Sequence, residues 1–209
     1  MKKLHSLSNT PTVYLIGGPA RVGKSTLSRL LNEQIISHRI TGDVLMQMLV
    51  KAEAIPYAHV SMEPKDTWLE RLVIRDRRLW PHIHKLATDI VTHHNESIII
   101  DGALYPDFLA ELPLEVPYRF VVLVDTSSVD VQTERMIEIR DSASSSNNWQ
   151  KDHSYTDDFL KEWTSLNRGR SLQYVEQAGV HGVKVFDVAD YPSQTKMQEA
   201  ALEWLLGEY

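Results

Sequence analysis

Eight consecutive residues, Gly18-Pro19-Ala20-Arg21-Val22-Gly23-Lys24-Ser25, carry the most specific chemistry in the chain. They fit the pattern G-x-x-x-x-G-K-[ST] and are followed by Thr26. Glycines let the backbone curl until successive N–H groups point at one phosphate, and the N-terminus of a following helix adds the positive end of its dipole. Lys24 then reaches the β- and γ-phosphates, and the Ser25 hydroxyl ligates Mg²⁺. Gly18 through Thr26 (Gly18, Pro19, Ala20, Arg21, Val22, Gly23, Lys24, Ser25, Thr26) are accordingly the candidate nucleotide-binding residues, with ATP and Mg²⁺ as the cofactors implied. The bland alternatives are a glycine-rich turn with a solvated lysine, or a nucleotide that is bound and never turned over.

A metal on a serine hydroxyl needs a carboxylate partner. Asp101 closes the apolar run Ser97-Ile98-Ile99-Ile100 and precedes Gly102, so it is the candidate; the alternative is an Asp-Gly turn that only ends a strand. Asp43, in Thr41-Gly42-Asp43-Val44-Leu45, stands at a helix start. It suits a general base, a metal-shell ligand, or simply an acidic residue favoured by the helix dipole. Arg71, Arg75 and Arg78 have i, i+4, i+7 spacing and fall within an arc of about 60° on a helix. They can aim at an anionic phosphoryl acceptor, or form a solvated face paired with Glu70 and Asp76; Arg77 points away from them. His82, His84, His93 and His94 make no ligand pattern and read as surface or capping residues.

These residues need a scaffold, and the chain alternates strand-like and helical stretches. Strands are expected at Val13–Ile16, His38–Thr41, Ser97–Ile100, Tyr118–Val124 and Val183–Phe186. Helices are expected at Ser25–Ile36, Asp43–Ala54 (ended by Pro56), Thr67–Trp80 (stopped by Pro81), Ile83–His94, Val129–Arg140, Thr156–Gln177 and Ser193–Leu206. Ser142–Asn148 is the one low-complexity stretch and reads as a loop. Strand–helix alternation implies an α/β fold: three layers, α/β/α, around a five-stranded parallel sheet. Ligands in such sheets bind at the carboxyl ends of the strands, where Lys24, Asp43 and Asp101 fall.

Composition excludes whole classes. With 22 Lys+Arg against 28 Asp+Glu, the net charge of −6 argues against general nucleic-acid or anionic-membrane binding. No cysteine is present, so disulfides, thiolate metal sites and a cysteine nucleophile are out. No apolar run approaches the roughly 20 residues of a spanning helix, and residues 1–12 lack a signal-peptide core, so a cytoplasmic location is expected. The 209 residues suit a single domain.

The phosphate-loop motif, the T-G-D-x-L segment at Thr41–Leu45 and the Asp101-Gly102 pair together resemble the adenylate-kinase-like nucleoside and nucleotide kinases. The resemblance runs in core order from Val13 to Val188. It implies a P-loop NTPase fold with core 12–42, 96–140 and 178–209, acceptor-binding helices 43–95 and a short lid 141–170. It also implies that Arg135 stabilises the transferring charge, that Arg140 contacts the nucleotide, and that Asp157-Asp158, Arg168 and Arg170 belong to the lid. Asp187–Pro192 would bind the base through backbone groups, with Trp163 and Tyr174 in the core. In adenylate kinases an arginine follows T-G-D-x-L, and another follows D-G-F-P. Here those places hold Met46 and the sequence Asp101-Gly102-Ala103-Leu104-Tyr105-Pro106, which points away from a nucleoside monophosphate acceptor. Small-molecule kinases similar to 2-phosphoglycerate kinase fit at least as well. Tyr105 joins Asp43, Arg71, Arg75 and Arg78 as a candidate acceptor contact.

The expected function is therefore phosphoryl transfer from ATP to a small anionic or hydroxyl-bearing metabolite, with Lys24, Asp43 and Arg135 in catalytic roles and Ser25 and Asp101 at the metal. A nucleotide-binding regulatory switch with no small acceptor is the alternative. It lacks the D-x-x-G and N-K-x-D segments of GTPases.

Overall fold

The structure, a computed structural model, describes residues 10–52, 61–141 and 155–207. Its centre is a sheet of five strands: β1 (Val13–Gly17), β2 (Ser37–Thr41), β3 (Ser97–Asp101), β4 (Tyr118–Val124) and β5 (Lys184–Asp187). All pair in parallel, in the order β2-β3-β1-β4-β5. Leu15 of β1 lies between Ile100 of β3 and Phe120 of β4. The central strands are apolar because both of their faces are covered.

Side chains alternate between two helical layers, as period-2 geometry requires. Val13, Leu15, Ile98, Ile100 and Val122 face one layer. There α2 (Gly42–Lys51), α3 (Trp68–Asp89), α4 (Pro106–Glu111) and α6 (Asp157–His181) bring Met46, Ile83, Phe108 and Tyr174. Tyr14, Ile16, Ile99, Val121 and Leu123 face the other. There α1 (Lys24–Asn32) and α7 (Gln194–Leu206) bring Leu27, Leu31, Met197 and Leu205. The remaining α-helix, α5 (Val129–Asp141), packs on α6. Each fully buried Leu or Ile contributes about 1.5–3 kcal/mol, so this double core holds the strand tips in register.

Several boundaries differ from the sequence reading. Helix α1 stops at Asn32, short of Ile36, whose side chain is 91% exposed and has no surface to bury against. Pro81 does not stop a helix: α3 runs through it to Asp89. Proline removes one backbone bond, to the carbonyl of Arg77. Pro81 and Arg77 are both exposed, while buried Leu79, Trp80 and Ile83 hold the backbone helical. The turn Ile90–His94 then widens to a π-helix and ends at Asn95, with φ 55°. Helix α4 was not expected, although Pro106 at its first position is a start signal. Helix α6 extends to His181, where Gly182 caps it in the left-handed region. Pro56 and the loop Ser142–Asn148 lie outside the described residues.

Candidate active site

The loop between β1 and α1 turns on three residues with positive φ: Gly18 (131°), Arg21 (68°) and Gly23 (92°). A Cβ on Gly18 would lie 2.0 Å from the Leu123 carbonyl oxygen, so no side chain fits there. Arg21 holds the same left-handed region at a cost of about 1–2 kcal/mol.

The loop's carbonyls are taken from outside. Asn167 Nδ2 donates to Ala20 O at 3.1 Å, Gln194 Nε2 to Arg21 O at 3.1 Å, and Gln198 Nε2 to Gly23 O at 3.2 Å. Lys24 Nζ donates to Pro19 O. Oxygens drawn outward in this way would leave the peptide N–H groups between them to the concave side, the arrangement an anion requires. Asn167 and Gln198 are buried, and sequence reasoning missed all three amides. No local pattern marks them, because they come from α6 and α7, well over a hundred residues away.

Lys24 is partly exposed. Desolvation, then the nearby Arg170 charge, lower its pKa to about 8, against the opposing pull of Asp101, Asp43 and Asp76. Four charged groups expected in separate roles thus act on one ammonium.

Asp101 ends β3 beside α1 and is 3% exposed. Its Oδ1 accepts from Ser25 Oγ at 2.9 Å and its Oδ2 from Ser28 Oγ at 2.6 Å. Arg39 of β2 donates through Nε to Ser28 Oγ at 2.8 Å and through Nη2 to Asp101 Oδ2 at 3.4 Å. Ser28 and Arg39 were not anticipated. The β3 tip also meets the start of α2 closely: a Cβ on Gly42 would lie 3.3 Å from Gly102 Cα. Thr41 caps α2, accepting from Val44 N–H at 3.4 Å, and Asp43 stands exposed in its first turn.

Arg71, Arg75 and Arg78 of α3 do not form one patch. Arg71 donates to the carbonyls of Ser61 (2.8 Å) and Pro64 (3.1 Å) and to Thr67 Oγ1. Arg78 is exposed. Arg75 donates through Nε to Asp76 Oδ1 at 2.7 Å. Asp76 is not part of a solvated face: it is 3% exposed, and its Oδ2 accepts from Arg170 Nη2 at 3.2 Å. Burial pushes the Asp76 carboxyl up, although Arg170 and Arg75 draw it down. Arg170, expected in the lid, is buried and also donates through Nε to the Tyr105 hydroxyl at 3.0 Å. Tyr105, expected at the acceptor, is 1% exposed and stacks on Tyr174 with centroids 4.2 Å apart. It braces Arg170 from within the core.

On the other side of the phosphate loop lies a cavity of about 240 Å³, lined by Ala20, Arg21, Asp125, Met136, Trp163 and Tyr191 among others. Trp163, expected in the core, is on this wall, whereas Tyr174 is fully buried. Val188, Tyr191 and Pro192 belong to the segment expected to hold the base, and they line the same cavity. Arg135 also lines it and donates to Asp125 Oδ2 at 2.9 Å. Arg140 does not line it. Its guanidinium joins α5 to α6, donating to Asp141 Oδ1 (2.8 Å), Asp157 Oδ1 (2.7 Å) and the Tyr155 carbonyl (3.1 Å). Asp157, expected as a lid carboxylate, is Arg140's partner there, and Asp158 is exposed one residue on. Arg168 donates to the carbonyls of Thr126 (3.3 Å) and Ser127 (3.1 Å), which fixes the turn after β4.

The residues present suit a magnesium nucleotide. Ser25 and Asp101 offer two oxygens at one mouth, and Mg²⁺ takes few protein oxygens and completes its shell with phosphate and water. Among the described residues there is no cluster of three or more His, Asp or Glu that would hold a metal unaided. No described helix is long and apolar enough to cross a membrane.

No protein-family model matches the chain, and no curated protein matches it. Solved structures do. A gluconokinase from Sinorhizobium meliloti 1021 is similar with a TM-score of 0.50 at 18% identity, covering 94% of each chain. A shikimate kinase from Bacteroides thetaiotaomicron gives 0.52 at 14% identity, covering 93% of this chain and 98% of its own. The likeness is one of fold: the chain has the three-layer, five-stranded parallel architecture of these P-loop small-molecule kinases.

Proposed function

We propose that the protein transfers the γ-phosphoryl group of ATP to a hydroxyl group of a small metabolite. The carrying observation is the Ser25–Asp101 hydrogen bond at the mouth of a loop whose Ala20, Arg21 and Gly23 carbonyls are engaged from α6 and α7. It supports a loop shaped for phosphate with a metal position beside it. The division into a core, acceptor helices 43–95 and a lid 141–170 is part of this reading.

In this mechanism the loop amides and Lys24 hold the β- and γ-phosphates. Ser25 and Asp101 would hold Mg²⁺, which neutralises charge on the phosphate oxygens. Arg135, beside the base cavity, balances charge as the phosphoryl group moves. Asp43 orients the acceptor hydroxyl and takes its proton. Phosphoryl transfer needs little covalent help, so positioning and electrostatics supply the rate.

The test pairs ATP with a panel of alcohols, sugars and sugar acids and follows ADP release. Release that depends on one acceptor, and that vanishes in a folded Lys24→Ala variant, is the expected result. Unchanged turnover in folded Lys24→Ala would sink the mechanism, and nucleotide binding with no acceptor-dependent release would favour a switch.

A further inference from the structure

The hydrogen bonds around Asp101 form a chain with a fixed direction. A guanidinium carries only donors, so whatever bonds to it must accept. Arg39 Nε lies 2.8 Å from Ser28 Oγ, and that hydroxyl oxygen therefore accepts. Ser28 has one proton to give. Its shortest contact is Asp101 Oδ2 at 2.6 Å, against 3.2 Å to the Ser25 carbonyl. Arg39 Nη2 reaches the same Oδ2 at 3.4 Å. An ionised carboxylate oxygen accepts at about two places, so Oδ2 is filled. Among the described residues, Oδ1 accepts from Ser25 Oγ alone, at 2.9 Å. With its proton directed to Asp101, the Ser25 oxygen keeps its lone pairs for a cation.

The fold builds this chain from three elements. Arg39, on edge strand β2, lies opposite Ile99 of β3, two residues before Asp101. Ile99 faces the α1 layer, and by period-2 geometry Asp101 faces the same way. Ser25 and Ser28 stand one turn apart on α1 and meet it there. Ser28 is fully buried, whereas the Arg39 side chain is 30% exposed. Neutralising a buried acid does not call for a hydroxyl between the charges, because a guanidinium set in two-pronged fashion on the carboxylate is the stronger arrangement. Here Arg39 makes its shorter bond to Ser28 and stands further from Asp101. The carboxylate is left turned toward Ser25.

We propose that Ser28 and Arg39 are positioning residues for the metal of the nucleotide complex. They occupy Asp101 Oδ2 and set the direction of the chain, so that Asp101 Oδ1 and the Ser25 oxygen are the pair offered to Mg²⁺. This rests on the magnesium-nucleotide reading above and is independent of the acceptor's identity.

Manganese in place of magnesium gives a test that needs no turnover. Its affinity for the complex of the protein with AMP-PNP is read from loss of the free-ion EPR signal, with AMP-PNP alone as baseline. Arg39→Met keeps a long side chain and removes its donors, and at a partly exposed edge position it should fold. It should bind Mn²⁺ about tenfold more weakly than wild type, while affinity for AMP-PNP in EDTA stays within about twofold. Ser28→Ala should show the same split. The double variant should fall within about twofold of the weaker single, because both residues act through one chain. Unchanged Mn²⁺ affinity in Arg39→Met overturns the proposal. So does an equal loss with and without metal, which marks general damage to the site, and so do losses that simply add in the double variant. If wild type holds Mn²⁺ no better than AMP-PNP alone does, the magnesium-nucleotide reading has failed and the proposal falls with it. If the variants behave as expected and no acceptor supports ADP release, the kinase reading has failed and the positioning role stands.

Discussion

Asn167 Nδ2 donates to the Ala20 carbonyl across 3.1 Å of space and 147 residues of sequence. A helix from the far end of the chain thereby fixes the curvature of a loop near its beginning. The two neighbouring amides, Gln194 and Gln198, do the same from α7.

Truncating Asn167 to Ala should leave the half-buried Ala20 carbonyl without this donor, at a cost of about 0.5–1.5 kcal/mol. Nucleotide affinity should fall by about tenfold, read by titration of a fluorescent ATP analogue. Asn167→Asp should be worse than Ala, since it sets an acceptor against an acceptor. An Asp variant that binds as wild type would remove the positioning role.

The depressed pKa of Lys24, about 8, gives a defined pH dependence. Phosphate binding needs the ammonium, and the free protein loses it as pH rises through 8. Affinity for ATP should therefore weaken by up to about tenfold per pH unit above that point, with proton uptake on binding. Calorimetry in buffers of different ionisation enthalpy reads the uptake, and Lys24→Met should abolish it. The free protein behaves oppositely. Between about 8 and the usual lysine range the unfolded chain holds the proton that the folded one has lost. The Lys24 contribution to stability is thus unfavourable below 8 and is relieved as pH rises.

Asp101→Asn should raise the magnesium concentration for half-maximal ADP release by about tenfold or more. It should also lower the melting temperature, because Arg39 then faces a neutral amide. A magnesium dependence unchanged from wild type would take Asp101 away from the metal.

Arg140→Ala should act on the α5–α6 junction rather than on the nucleotide. Its partners are Asp141, Asp157 and the Tyr155 carbonyl, and the two carboxylates are solvent-exposed, so these pairs are screened. ATP affinity within about twofold of wild type is expected, measured by the same titration. A tenfold loss would return Arg140 to the nucleotide site.

Local signals in the sequence were reliable wherever the physics is local. The run Gly18–Ser25 announces its own curl, and the Ile98–Ile100 triplet announces a strand covered on both faces. Asp76 was misjudged for an instructive reason. On α3 alone it reads as a surface acid beside three arginines. It is buried only because Arg170 arrives from α6 across 94 residues and meets its second oxygen. Tyr105 was misread for the same reason, as its hydroxyl partner is that arginine too. Pro81 shows the converse. A local rule against helices yields where buried Trp80 and Ile83 fix the path on either side.

Within four residues, α6 reaches three regions. Asn167 touches the phosphate loop, Arg168 the turn after β4, and Arg170 the acid buried under α3. The stretch works as a common shaft. A roll of α6 that lifted Asn167 from Ala20 would also draw Arg170 from Asp76, so the curvature of the loop and the seating of α3 are coupled through one helix. A protein geared in this way should resist changing the phosphate loop and the α3 face separately, and compensating changes for a substitution in either are to be sought on α6.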